Sequence, residues 1–330
     1  MSHEITERAD GTAEMAFTGP RSAIWHGLGN AMPENQTIEE WQKAAGMDWH
    51  VERANLLYVI PGTKKGKDEQ REYPSREALY RSDTGAALGN VSPKFNIVQP
   101  KEVLEFFRDL VALLGMKLST AGTLFGGSRF WALAETGKQA EIVEGDVVKG
   151  HLLLTTAVDG TMSTSAKFVS TRVVCNNTLT VALGESSKRA VRITHKTKFD
   201  PAKVKFELGI IDAGWLKFVQ QMRKLAETPL TEKRVNNFLQ KRYFKDKVAD
   251  DDQAKAVTDK IAAIKAMAMT GSGAQFHSGT AWGLLCGATE YFTHGTERRN
   301  LSHKFWDSYM GRYEREKSDF AQAVLTSNFR

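Results

Sequence analysis

Alternating apolar and polar positions dominate the first part of the chain. HVERANLLYVI (50–60) has the β-branched and aromatic content of a strand, and EALYRSD and AALGNV flank Thr84-Gly85, a hairpin-turn signal. KFNIV reads as further strand. Gln99-Pro100 then opens a helix, because proline is tolerated at the first helical position. Val103, Leu104, Phe106, Phe107, Leu110, Val111 and Leu114 form its apolar stripe, and Gly115 ends it.

A second strand series follows. MKLSTAGTLF and SRFWALAET are divided by Gly126-Gly127, and VVKGHLLLTTAV and TMSTSAKFV by Asp159-Gly160. A two-residue loop at Asp159-Gly160 pairs Val158 with Thr161. One hairpin face then carries Leu153, Ala157, Met162, Ala166 and Phe168, and the other carries Thr156, Thr161, Ser163, Ser165 and Lys167. Within STRVVCNNTLTVALG (170–184), Thr171, Val174, Cys175, Thr178, Leu179 and Ala182 recur at spacings of three and four. That spacing predicts a helix, capped by Ser170 or Thr171 and closed by Gly184.

Beyond Asp200 the period becomes helical. Trp215, Phe218, Val219 and Met222 fit one amphipathic helix, Thr231 caps the next, and Asp250-Asp251-Asp252 places negative charge at another helix start. TAWGLLCGATEYF and EREKSDFAQAVLTSNFR predict two more. The expected fold class is therefore α+β. Its N-terminal antiparallel-sheet core, over 25–200, consists of strand-strand-strand-helix units, and a mainly helical C-terminal region spans 201–330. The polar first 24 residues predict a flexible tail.

Composition narrows the chemistry. The 330 residues are 41% hydrophobic and 25% charged, as in ordinary folded proteins, and no apolar run approaches the ~18 residues of a membrane helix. The N-terminus lacks a cationic-then-apolar layout, so a cytoplasmic chain is expected. Cys175 and Cys286 belong to no CxxC, and Cys175 on an apolar stripe reads as a packed residue rather than a nucleophile. Glu290, His294 and His303 are too loosely spaced for a metal motif, and no GxxxxGK[ST] occurs. No catalytic residue, metal or cofactor is expected.

The net charge of +6 is unevenly placed: 188–247 holds 16 Lys and Arg against 6 Asp and Glu. Such a concentration on an otherwise slightly acidic chain suits a polyanion partner, and equally the solvated faces of long helices. Overlapping it, SSKRAVRITHKTKFDPAKVKF (186–206) interleaves cations with Phe199 and Phe206, rings that either stack bases of a single strand or belong to the core. The expected DNA-contacting set is Lys167, Arg172, Arg189, Arg192, Lys196 and Lys198, with Arg129 beside them.

IWHGLG, NIVQP, TRVVCNNTL, RITHKTKF and TAWGLLCGATEYFTH together resemble a family of phage- and plasmid-borne proteins of unknown function, over about 24–310. Strands feeding a packed helix beside basic residues are similar, at fold level, to single-strand annealing proteins of the RecT, Redβ and Erf type. That resemblance implies ATP-independent annealing of single-stranded DNA by a ring or filament of identical subunits in the bacterial host. The alternative is a non-enzymatic accessory or anti-defence protein of mobile elements, acting by protein–protein binding. A metal-dependent nuclease would need clustered carboxylates that the sequence does not place.

Overall fold

The structure, a computed structural model, describes residues 5–8, 10–19, 28–62, 66–172, 178–180, 191–196, 200, 211–244, 251–272, 274, 276–295, 307 and 311–329. In chain order the elements begin with β1 (Met15–Thr18), β2 (Asn30–Met32), α1 (Ile38–Ala44), β3 (Val51–Ile60), β4 (Glu69–Arg81), β5 (Ala87–Val91) and α2 (Pro100–Leu114). Then come β6 (Lys117–Leu124), β7 (Arg129–Glu141), β8 (Val147–Ala157), β9 (Thr164–Arg172), β10 (Thr178–Thr180) and β11 (Val191–Ile193). The helical half holds α3 (Ile211–Ala226), α4 (Glu232–Tyr243), α5 (Asp251–Thr270), α6 (Ala281–Glu290) with a π-helical turn Tyr291–Gly295, and α7 (Arg312–Thr326). The chain is mixed α+β, mostly strand in its first half and helical towards its C-terminus.

Among the described residues, eight strands form one sheet ordered β10-β9-β8-β7-β6-β1-β2, with β11 also on β9. All its pairings are antiparallel except β1 with β2. Its two faces differ. Ala132, Leu154 and Ala166 lie in one register row and Ala134, Leu152 and Phe168 in the next, and this face joins the main core. Helix α2 covers it through Val103, Leu104, Phe106, Phe107 and Leu110, each contributing roughly 1.5–3 kcal/mol when fully buried. Gly115 ends α2 at φ 64°, a left-handed cap that suits glycine. Farther along, Phe168 meets Trp215 of α3 edge-on, with ring centroids 5.6 Å apart.

The opposite face carries the row Met15, Gly122, Trp131, Thr155, Ser165 and Arg192. Leu133, Leu153 and Lys167 follow, and a smaller apolar cluster forms there with Ile5, Ala13 and Leu124. Helix α7 reaches this face: it packs on β10, and its Glu314 meets Lys167. The helical half thus grips the β9–β10 edge from both sides.

Four expectations are corrected. Residues 170–184 are not one helix, because Ser170–Arg172 continue β9 and Thr178–Thr180 pair with it as β10. The β-branched residues Thr171, Thr178 and Thr180 favour a pleated strand over the three-four spacing. The second strand series therefore lacks its expected helix, unlike the first, where β3, β4 and β5 lead to α2. KFNIV is a loop, with Phe95 N–H turned back on Ser92 O. Within the expected tail, Met15–Thr18 are an inner strand between β6 and β2, with Met15, Ala16 and Phe17 buried.

The fourth correction is the hairpin register. Thr155 pairs with Ser165, so Lys167 faces Leu153, and Ala166 faces Leu154. The loop is wider than two residues because Asp159 folds it inward, accepting from the N–H (2.9 Å) and hydroxyl (2.5 Å) of Thr161. Val158 N–H also donates to Ser128 O of the neighbouring hairpin.

The ribbon of β3 and β4 projects beyond the core, and every residue of Glu69–Arg76 is exposed. Leu57, Tyr58, Val59 and Tyr73 remain exposed on its outer half. Among the described residues no helix is long and apolar enough to cross a membrane.

Candidate nucleic-acid interface

Three of the expected cations border one loop, residues 158–163. Arg129 opens β7, its guanidinium 4.2 Å above the Phe125 ring, with Nη2 donating to Thr161 Oγ1 at 3.3 Å. Asp159 lies 3.7 Å from Arg129 Nε, so this cation is partly neutralised. Arg192 is exposed on β11, opposite Ser165, and Lys196 is exposed in the turn that follows. Among the described residues neither Arg192 nor Lys196 has an acidic partner.

That turn is pinned by His195, which lies within RITHKTKF. Asn96 donates to His195 O from its backbone N–H at 2.7 Å and from Nδ2 at 2.9 Å. The imidazole nitrogens lie 2.9 Å from Asn96 O and 3.0 Å from Met162 O, and the ring stacks on Phe95 at 4.1 Å. The segments KFNIV and RITHKTKF therefore meet beside the loop. This fixes where Lys196 emerges. No spacing in the sequence signals the pairing, because the partners are 99 residues apart.

Lys167 is the exception on the same face. It is 4% exposed, and its ammonium lies 3.5 Å from Glu314. Burial lowers its pKa, with Glu314 opposing and Arg192 adding to the shift. It therefore does not offer the surface contact expected of it and joins the sheet to α7 instead. The shifted register carries it inward: Lys167 shares its row with Leu153 and Leu133. Arg172 ends β9 opposite Val148, at a register position alternating with that of Lys167 and at the far end from Arg192. Arg189, Lys198 and Cys175 lie outside the described residues.

Other polar clusters are braces. Glu14, 1% exposed, accepts from Arg81 Nη1 (2.9 Å) and Nη2 (2.7 Å), from Arg8 and from Thr123. Arg81 also donates to Asp83 and stacks 4.1 Å from the Trp49 ring. This network lines a cavity of about 600 Å³, but its charges are already matched, which suits a support more than a catalytic group. Buried Asp146 likewise holds His277 Nε2 at 2.6 Å and Trp282 Nε1 at 2.8 Å, tying the β7–β8 loop to α6. Among the described residues no three His, Cys, Asp or Glu side chains are grouped to hold a metal ion.

Fold and site together define an α+β protein with exposed, unmatched cations at one end of a buried sheet. The chain belongs to the family described as "Domain of unknown function (DUF932)", whose model matches residues 87–316. That match contains Arg129, Arg192, Lys196 and the His195 anchor, and it excludes the whole of the projecting ribbon. No curated protein and no solved structure matches the chain.

Proposed function

We propose that the chain is a single-stranded DNA-binding and strand-annealing protein of a phage or plasmid, working without ATP in the bacterial cytoplasm. The observation that carries this reading is the pair of exposed, unmatched cations Arg192 and Lys196, fixed with Arg129 around residues 158–163 beside the Phe95–His195 stack. Fixed cations without acidic partners neutralise backbone phosphates and leave bases free to pair. Aromatic rings beside them offer a surface on which a base can stack. Identical subunits in a ring or filament would extend the track.

Fluorescence anisotropy with single-stranded oligonucleotides at several salt concentrations tests it. Substituting both residues (R192Q/K196Q) should weaken binding for every sequence and flatten the log–log salt slope by about 0.7 per lost contact. An unchanged slope and affinity would overturn the reading.

The exposed Leu57, Tyr58, Val59 and Tyr73 favour a second reading. In it the ribbon docks a protein, and the chain acts as a non-enzymatic accessory or anti-defence factor.

A further inference from the structure

The geometry points to a phosphate-binding site in the helical half, formed by the C-terminal end of α4 with α5 and α7. It is separate from the sheet end and does not rest on the nucleic-acid reading.

Arg242 and Tyr243 are the last residues of α4. Arg242 Nε and the Tyr243 O–H are both buried and neither finds an acceptor, although the Arg242 guanidinium leans on the hydroxyl oxygen. Two unmet donors on adjacent residues are costly in a folded chain and call for an acceptor. Lys260 of α5 stands over the same ring, its Nζ 4.1 Å from the Tyr243 centroid and 5.0 Å from that of Phe292. The Arg242 guanidinium lies 5.6 Å from the Tyr243 ring and 5.3 Å from Phe320.

Charge is unbalanced at this place. Among the described residues, Glu316 of α7, 3.9 Å from Lys260 Nζ, is the acid that opposes these cations. Burial lowers the Lys260 pKa first; Glu316 raises it, and Arg312 and Arg242 lower it further. Three cations thus crowd one carboxylate. Cations are favoured near the carbonyl end of any helix, but that preference leaves Nε and the hydroxyl without acceptors. A water could take one donor and would not offset the charge. A phosphate group does both, offering several acceptor oxygens and negative charge to Arg242, Tyr243 and Lys260. Arg312 is exposed at the start of α7.

The test uses the full chain. Melting is compared in sodium phosphate and in sodium chloride at matched ionic strength, and inorganic phosphate is titrated calorimetrically. Phosphate should raise Tm beyond chloride, as a ligand of the native state does. K260Q should weaken phosphate binding about tenfold. Y243F, which removes an unmet donor and so keeps the fold, should weaken it several-fold while leaving Tm in chloride unchanged or higher. R192Q/K196Q should retain the full phosphate effect, which separates this site from the sheet end.

Oligonucleotides with and without a 5′-phosphate identify the source. A Y243F-sensitive preference for the phosphorylated strand assigns the site to strand ends. Binding of inorganic phosphate without that preference assigns it to free phosphate or a nucleotide. Phosphate no better than chloride, or equal effects in wild type, K260Q and Y243F, would overturn the site.

Discussion

Lys317 is wholly enclosed in α7, and burial brings its ammonium pKa down from 10.5 to about 7, with Glu314 opposing and Lys167 assisting the shift. The unfolded chain keeps its proton up to the ordinary lysine range. Between about pH 7 and that range the unfolded state therefore binds more protons, and stability rises with pH at roughly 1.4 kcal/mol per unit. Urea unfolding at pH 7, 8 and 9 should show this slope in the wild type and its loss in Lys317→Met. A Met variant with the same slope would place the titration elsewhere. His151 behaves oppositely in range but not in sign. Burial lowers its pKa to about 4, so stability is present above the ordinary histidine value and is lost as pH falls through 4. Lys167 was legible in the sequence as a cation on a hairpin. Its burial was not, because one residue of register decides which row it joins.

Among the elements, those with a strong local signal were readable. The α2 stripe with Pro100 and Gly115 gave a helix at its observed position, as Thr231 did for α4 and the run Asp250-Asp251-Asp252 for α5. Local signal misled at 170–184, where spacing argued for helix and side-chain shape for strand. Sheet neighbours settle such conflicts: β9 already supplies an edge for Thr178–Thr180. The two readings give opposite expectations for alanine. Thr178→Ala with Thr180→Ala would strengthen a helix. On a strand the pair should cost about 1 kcal/mol, read from the urea midpoint at constant m. The polar site was legible only in part: the basic run stood out, while the His195–Asn96 anchor depends on a tertiary contact that no local pattern encodes.

At the scale of the whole molecule, the buried sheet and the projecting ribbon answer to different forces. The sheet is packed on both faces and gripped at β9–β10 by α3 and α7, so its loops are held in place. Beyond Asn55 and Glu77 the ribbon has no core beneath it, and a two-stranded ribbon alone is only marginally stable. Joining Asn55 to Glu77 by a two-residue Asn-Gly turn removes that outer half and deletes Leu57, Tyr58, Val59 and Tyr73. Because those side chains are exposed, Tm should move by no more than a few degrees. The same shortened chain separates the two functional readings. If the cations around residues 158–163 hold single strands, oligonucleotide affinity and its salt slope should survive the excision and fall only with R192Q/K196Q. If the ribbon is the working surface, the cation variant should be silent, and the shortened chain should lose its activity while remaining folded.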